Sequence, residues 1–274
     1  MRSTITIKFL LIISLSIFLS SCIIFGDPTE VDETTGLTDY QILQKANLAQ
    51  ETKDWPRAIS IYEKAEKRFP NSKYAPQIKL NLAYAYKEYY QEEEAIAMID
   101  KFIKSYPNHP AMDYAYYLKG VVLFRDRGIF KQITLQDISD RDVSQLEDSF
   151  NALKIMVRLF PNSQYYDDAR NRMVYLMNKI AERELYVARY YMKREAFVAA
   201  LNRAKFVIEN YPESIHQEEA LVIKISAYKN LGLIDLLNDT KRVLELNFPN
   251  SQFNKKMSNN KDEKKWWEFW DILD

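Results

Sequence analysis

Residue types that do chemistry at neutral pH are scarce in this chain of 274 residues: one Cys, at position 22, and two His, His109 and His216. Ser–His–Asp catalysis needs a base held beside its nucleophile. His109 stands between Asn108 and Pro110 in a turn, and His216 lies near the start of a helical run, so neither is framed as a base. A disulfide framework or a Cys/His zinc site needs more ligands than these three residues supply. The five Gly, at 26, 36, 120, 128 and 232, cannot be written as a phosphate-cradling GxGxxG or GxxxxGK[ST] loop. Lys+Arg and Asp+Glu balance at 38 each. A chain without basic excess is not a dedicated nucleic-acid binder, whose affinity rests on neutralising phosphates. The carboxylates are plentiful but spaced as solvated helix faces. The residues point to a non-enzymatic protein with no metal or cofactor.

Cys22 alone has a context that gives it chemistry. Arg2 and Lys8 precede an apolar run from Phe9 to Leu19 that is broken only by Ser14 and Ser16. That run is too short for a span, which needs about 20 residues. It fits the apolar region of a signal peptide over residues 1–21. Leu19-Ser20-Ser21-Cys22 then resembles a bacterial lipobox, with Ser21 where Gly or Ala is commoner. The resemblance implies a covalent lipid at Cys22, an N-palmitoyl and an S-diacylglycerol group. Several chains are needed for stable anchoring, since each buried CH₂ adds about 0.8 kcal/mol. Losing residues 1–21 removes Arg2 and Lys8 and no acid, leaving two more acids than bases. Residues 22–37 have no sustained period and read as an acylated tether.

The rest of the chain is repetitive. Phe69-Pro70-Asn71-Ser72 returns as Tyr106-Pro107-Asn108-His109, Phe160-Pro161-Asn162-Ser163, Tyr211-Pro212-Glu213-Ser214 and Phe248-Pro249-Asn250-Ser251. Pro stops one helix, and Asn or Ser is expected to cap the next. The prolines are 37, 54, 51 and 37 residues apart, which gives a unit of 37 with insertions of 17 and 14. Ala58, Ile61, Tyr62, Ala65 and Phe69 recur 37 residues on as Ala95, Met98, Ile99, Phe102 and Tyr106, one face of a helix. Upstream helical runs occupy 39–49, 75–90, 111–124, 166–191 and 217–231. Helix pairs in this pattern resemble tetratricopeptide repeats, whose unit is about 34 residues. The resemblance implies an all-α, right-handed superhelix of five tetratricopeptide-like helix pairs, with the first helices lining a concave surface. Repeats 1–3 occupy 38–164 and repeats 4–5 occupy 165–253. Residues 254–274 form a polar linker and an aromatic tail.

Taken together, the lipobox and repeats resemble the BamD lipoprotein family, also called ComL or YfiO. The segments that carry the resemblance include Leu82-Ala83-Tyr84-Ala85-Tyr86, Asp113-Tyr114-Ala115, Ser139-Asp140-Arg141-Asp142, Asp168-Ala169-Arg170, Val187-Ala188-Arg189-Tyr190-Tyr191 and Ala199-Ala200-Leu201-Asn202-Arg203. The resemblance implies a periplasmic scaffold of the outer-membrane β-barrel assembly complex. It would dock onto the POTRA domains of BamA, contact other lipoproteins of the complex and handle unfolded outer-membrane proteins. Ile23, not Asp, follows Cys22, so retention at the outer membrane is expected. A repeat lipoprotein that recruits peptidoglycan hydrolases or proteases is the alternative.

Candidate contact residues follow. Arg203 falls in register with Ile61, Met98, Ala152 and Thr240, so it faces a neighbouring helix and needs a partner. That partner is an acid on BamA or an internal one such as Glu184. Arg141 lies in the insertion 125–142. It serves as a rim contact, or its neighbours cap a helix beginning at Asp142 or Ser144, with Ser144 and Glu147 at capping-box spacing. Tyr84, Tyr86, Tyr114 and Tyr117, with Tyr116, crowd the first helices of units two and three. They suit a groove for extended peptides, or else they are core. Trp266, Phe269, Trp270 and Leu273 fall on one helical face of the tail. Such a face packs on a partner, on the protein itself or at a lipid interface.

Overall fold

The computed structural model describes residues 32–124 and 140–251. Those residues form ten α-helices in five antiparallel pairs, and no strands. The pairs are α1 (Asp39–Glu51) with α2 (Trp55–Arg68), α3 (Ala75–Glu88) with α4 (Glu92–Ser105), and α5 (Met112–Leu123) with α6 (Asp140–Leu159). They continue with α7 (Tyr166–Lys193) and α8 (Phe197–Asn210), then α9 (Gln217–Asn230) and α10 (Ile234–Asn247). Each helix packs on its sequence neighbours, and α3 also touches α5 as α7 touches α9. The odd helices therefore make the inner layer of the array and the even helices the outer one.

Two kinds of turn alternate, each with its own chemistry. Within a pair, the chain passes through one left-handed residue: Lys53, Tyr90, Glu195 or Gly232, with φ of 59°, 69°, 60° and 73°. The following N–H then reaches back to a carbonyl five residues upstream, as Asp54 N does to Ala49 O at 2.9 Å. This geometry satisfies the last carbonyls of the odd helix. Between pairs, the aromatic-proline tetrapeptide folds so that its fourth residue donates back to its first. The bonds Ser72 N to Phe69 O, His109 N to Tyr106 O and Ser163 N to Phe160 O are 3.1, 3.0 and 3.1 Å.

The fourth residue of the tetrapeptide also works through its side chain, though not as the expected N-cap. Ser72 Oγ accepts the N–H of Tyr74 at 3.0 Å and donates to Asp39 on α1 at 2.5 Å. Ser163 Oγ accepts from Tyr165 at 3.2 Å and donates to Asp113 on α5 at 2.6 Å. In the second joint His109 Nδ1 takes the acceptor role, receiving the N–H of Ala111 at 3.1 Å. The N-cap residues proper, Tyr74, Ala111, Tyr165 and His216, make no side-chain cap. The joint residue stands two positions earlier, and where it is Ser72, Ser163 or Ser214 it locks consecutive odd helices together instead.

The 14-residue insertion of unit four is entirely helix: α7 has 28 residues, against 14 in α3 and α9. At 1.5 Å per residue it spans about 42 Å. Its start is tied to α5 through the joint at Ser163. Twelve residues further on, Asn178 accepts from Ser214 Oγ of the next joint at 3.0 Å. One helix thus does the work of two and links the halves of the array. The buried core follows the same division, with one cluster over α1–α5 and another over α6–α10. Tyr116 packs on both clusters. At the α5–α6 crossing, Gly120 lets Leu153 in: a Cβ there would stand 2.5 Å from Leu153 Cγ.

Two further expectations change. The third unit's even helix begins at Asp140, so Ser144 and Glu147 lie inside α6 and form no capping box at its start. Residues 32–37, the end of the stretch read as tether, are fastened to the array. Glu33 pairs with Lys45 at 2.9 Å and Arg57 at 2.7 Å. Asp32 pairs with Lys64 at 3.2 Å and Arg68 at 2.9 Å. Arg68 also donates to the carbonyl of the buried Thr34 at 2.6 Å. The ion pairs, invisible to hydropathy, hold what composition marks as loose chain.

Candidate functional site

An aromatic strip runs along the inner layer. Tyr84 (α3) meets the ring of Trp55 edge-on at 6.1 Å. Tyr114 (α5) lies 5.4 Å from Tyr165, and Tyr117, one turn further on, stacks on the same ring at 4.6 Å and 15°. Burial, with Tyr165, Tyr84 and Tyr117 as neighbours, pushes the Tyr114 hydroxyl far above the usual phenol range. Tyr117 donates to Asp168 Oδ2 at 2.8 Å, and Arg172 completes the network with a 2.5 Å bond to the same oxygen. The Arg172 guanidinium also sits 5.1 Å over Phe124. The strip is therefore half-buried, rich in hydroxyls and anchored by one ion pair. It offers flat apolar faces beside hydrogen-bonding groups.

Tyr86 does not belong to it. Two residues on from Tyr84, it points to the opposite side of α3, because i and i+2 do not share a helix face. It is buried against α2, where its hydroxyl donates to Glu63 at 2.6 Å. Burial and the Glu63 carboxylate raise its pKa together. Tyr165 was not singled out from the sequence and proves central to the strip. The signal lay in the repeat: an aromatic follows the joint serine by two positions at Tyr74 and Tyr165, and Tyr74 lies 5.6 Å from Tyr40 on α1.

A second feature lies between α6, α7 and α8. Arg203 Nη1 is 2.9 Å from Glu184 Oε2, and Arg183 Nη1 is 3.5 Å from Glu184 Oε1. The Glu184 side chain is 3% exposed, while Arg203 keeps 44%. Of the two partners considered for Arg203, the internal one is thus in place, and the guanidinium still presents a face outward. Glu147 lies close by; burial, then the charges of Glu184 and Asp148, raise its pKa. Tyr211 closes the cluster and is pushed up to about 12 by burial, with Glu147 and Glu184 adding to it.

Both His stand at or beside joints between pairs. His109 is spent on its joint, with its ring edge-on to Phe102 at 5.3 Å. His216 is the N-cap of α9. Among the described residues no group of His, Cys, Asp and Glu gathers as a metal site. None of the described helices is long and apolar enough to cross a membrane. Arg141 lies in the first turn of α6. Cys22, Trp266, Phe269 and Trp270 lie outside the described residues.

Comparison with known proteins follows the same stretch of chain. Residues 36–244 match the YfiO family, described as outer membrane lipoprotein. The outer membrane protein assembly factor BamD of Neisseria meningitidis serogroup B is 41% identical over 268 residues, 96% of this chain and 99% of the relative. The protein of the same name from Vibrio cholerae is 32% identical over 235 residues, 85% of this chain and 98% of the relative. That from Haemophilus influenzae is 28% identical over 235 residues, 85% and 90% of the two chains.

Proposed function

The chain belongs to the YfiO family of outer membrane lipoproteins, and from that premise we propose that it is a non-enzymatic scaffold of the outer-membrane β-barrel assembly complex. The observation that carries this reading is the kinship with the Neisseria assembly factor along nearly the whole of both chains. The physical reading agrees with it. A helix-pair array presents long surfaces on a stiff frame, and the His109 imidazole is committed to one of its joints.

The finer assignments rest on residues. The acyl groups on Cys22 hold the chain at the periplasmic face of the outer membrane. From Cys22 to the ionic clasp at Asp32 is ten residues. At about 3.4 Å each, this keeps the first repeat within roughly 35 Å of the lipid. The strip of Tyr84, Tyr114 and Tyr117 receives extended segments of unfolded outer-membrane proteins through ring faces and hydroxyls. The outward face of Arg203 meets an acidic group on a POTRA domain of the barrel-forming partner, BamA. Arg141, in the first turn of α6, is a further rim contact for the complex and its other lipoproteins.

Purification of the acylated chain in mild detergent tests the reading. A β-barrel protein bearing POTRA domains is expected to come with it in stoichiometric amount. Recovery of peptidoglycan hydrolases or proteases in its place would make the chain an adaptor of another kind and overturn the assignment.

A further inference from the structure

The outer face of α10 carries a row of exposed apolar side chains, Leu236, Val243 and Leu246, the last of them 75% exposed. Their spacing of seven and three residues puts them on one side of the helix. Only Asp239 interrupts the row, and it is engaged with Arg242 at 3.3 Å. An apolar row on the last helix of an array is unusual, because terminal repeats ordinarily turn a polar side outward.

The other end of the molecule shows what these positions do. Aligning Phe248 with Phe69, Leu236 and Val243 fall on Arg57 and Lys64 of α2, and Leu246 falls on Lys67, next to Arg68. Arg57, Lys64 and Arg68 are the α2 cations that hold Asp32 and Glu33, the chain just outside the first repeat. At the N-terminal end, therefore, the outer face of the even helix is covered by the flanking chain, cation to carboxylate. At the C-terminal end the positions of Arg57 and Lys64 are apolar, and Leu246 stands one residue before Asn247, the counterpart of Arg68. The flanking chain there changes in the same sense: Trp266, Phe269, Trp270 and Leu273 lie on one face of a helical period.

We infer that the aromatic tail of this chain, residues 266–273, folds back onto the outer face of α10 and covers Leu236, Val243 and Leu246. Chain length permits it. The last described residue, Ser251, follows the end of α10 by four residues, and its N–H closes the fifth joint onto Phe248 O at 3.0 Å. The 14 residues from 252 to 265 extend to about 46 Å. The whole of α10 is about 21 Å long. Residues 252–265 carry five Lys against one Asp and one Glu, so they stay in water while the aromatic face docks. The inference does not rest on the assembly function, and its test uses no other component of that machinery.

Three of the four Trp are in the tail, so replacing Trp55 by Phe leaves a fluorescence signal from the tail alone. In the dilute full-length mature chain, free of lipid, that emission is expected to be blue-shifted and protected from iodide. Protection should not change with protein concentration. A triple substitution, Leu236→Ser with Val243→Thr and Leu246→Ser, should shift it to the red and remove the protection, with the far-UV spectrum unchanged. As a second readout, Leu246→Cys with Phe269→Cys in a Cys22→Ser chain should form an intramolecular disulfide that retards no monomer to dimer. Solvent-like emission in the lone chain overturns the inference. Protection that appears only as concentration rises assigns the row to a second copy. Protection only with vesicles of phosphatidylethanolamine and phosphatidylglycerol assigns the tail to lipid.

Discussion

Reversing the charge of Arg203 is expected to weaken the fold itself, before any partner is considered. Glu184 is 3% exposed, and Arg203 donates to it at 2.9 Å. Removing one member of a fully buried pair costs about 3–5 kcal/mol. Arg203 keeps 44% of its exposure, and solvent screening lowers the cost of Arg203→Gln to about 1–2 kcal/mol. Arg183, 3.5 Å from the other carboxylate oxygen, keeps part of the compensation. Arg203→Glu adds a third carboxylate beside Glu184 and Glu147, so about 2–3 kcal/mol is expected. For an array of this size that is a fall of roughly 4–12 °C in Tm. Far-UV thermal unfolding of Arg203→Glu, and a double-mutant cycle of Arg203→Gln with Glu184→Gln, measure it. The cycle should return a coupling of about 1 kcal/mol. If Arg203→Glu melts with the wild type and the coupling vanishes, the pair holds nothing together and the energetic argument fails. Capture of the barrel partner, measured well below the melting point, should fall as well, since the outward face of Arg203 is proposed to meet it.

Other outcomes follow from the same structure. The clasp at Asp32 and Glu33 should open in acid. Hydrogen bonds from Arg57 and then Lys45 lower the pKa of Glu33 to about 2, and those from Thr34 lower that of Asp32 still more. A lowered carboxylate pKa gives stability that is complete above the unfolded value near 4 and is lost as pH falls through the folded one. Protection of residues 34–37 from hydrogen exchange, relative to the free-chain rate at the same pH, should therefore fall below about pH 4, and at neutral pH in Glu33→Gln. Glu147 has the opposite sign. Its pKa is raised, so it opposes folding once pH exceeds the unfolded value, and Glu147→Gln should raise Tm at pH 7 but not at pH 3 or so. Gly120→Ala should destabilise by about 1–2 kcal/mol, the overpacking against Leu153 outweighing the gain in helix propensity; urea unfolding reads it. Ser163→Ala loses a donor to Asp113 and an acceptor for Tyr165 and should cost about 1–2 kcal/mol in the same assay. Lys53→Gly relieves a left-handed residue and should add about 0.5–1 kcal/mol.

The joints show why so much could be read early. A proline cannot continue a helix, and an aromatic before it packs at the helix end, so five copies of the tetrapeptide mark five pair boundaries whatever the packing turns out to be. The 3.6-residue period of Ala58, Ile61, Tyr62 and Ala65 fixes which side of α2 is buried, and all four are buried. The upstream runs became α1, α3, α5, α7 and α9, with ends moved by three residues or fewer. These are local constraints, written in steric limits and periodicity.

Contacts between residues far apart in the chain were settled by the tertiary structure. Tyr84 and Tyr86 are equivalent by type and neighbourhood, yet 200° of helical rotation sends one to the aromatic strip and the other to Glu63. Ser163 was recognisable as a helix-start residue, but that its hydroxyl would reach Asp113, fifty residues upstream, depended on how the pairs stack. Arg203 was legible as a cation in need of an acid; that Glu184 supplies it depended on α7 and α8 packing face to face. The clasp at Asp32 and Glu33 carries no hydrophobic signal at all, because ion pairs are decided by which side chains packing brings within about 4 Å. Sequence alone determined the unit of this protein, since a helix and its ends are governed by nearest neighbours along the chain. Tertiary structure decided which surfaces the stacked units present, since a surface is made by residues that only folding brings together.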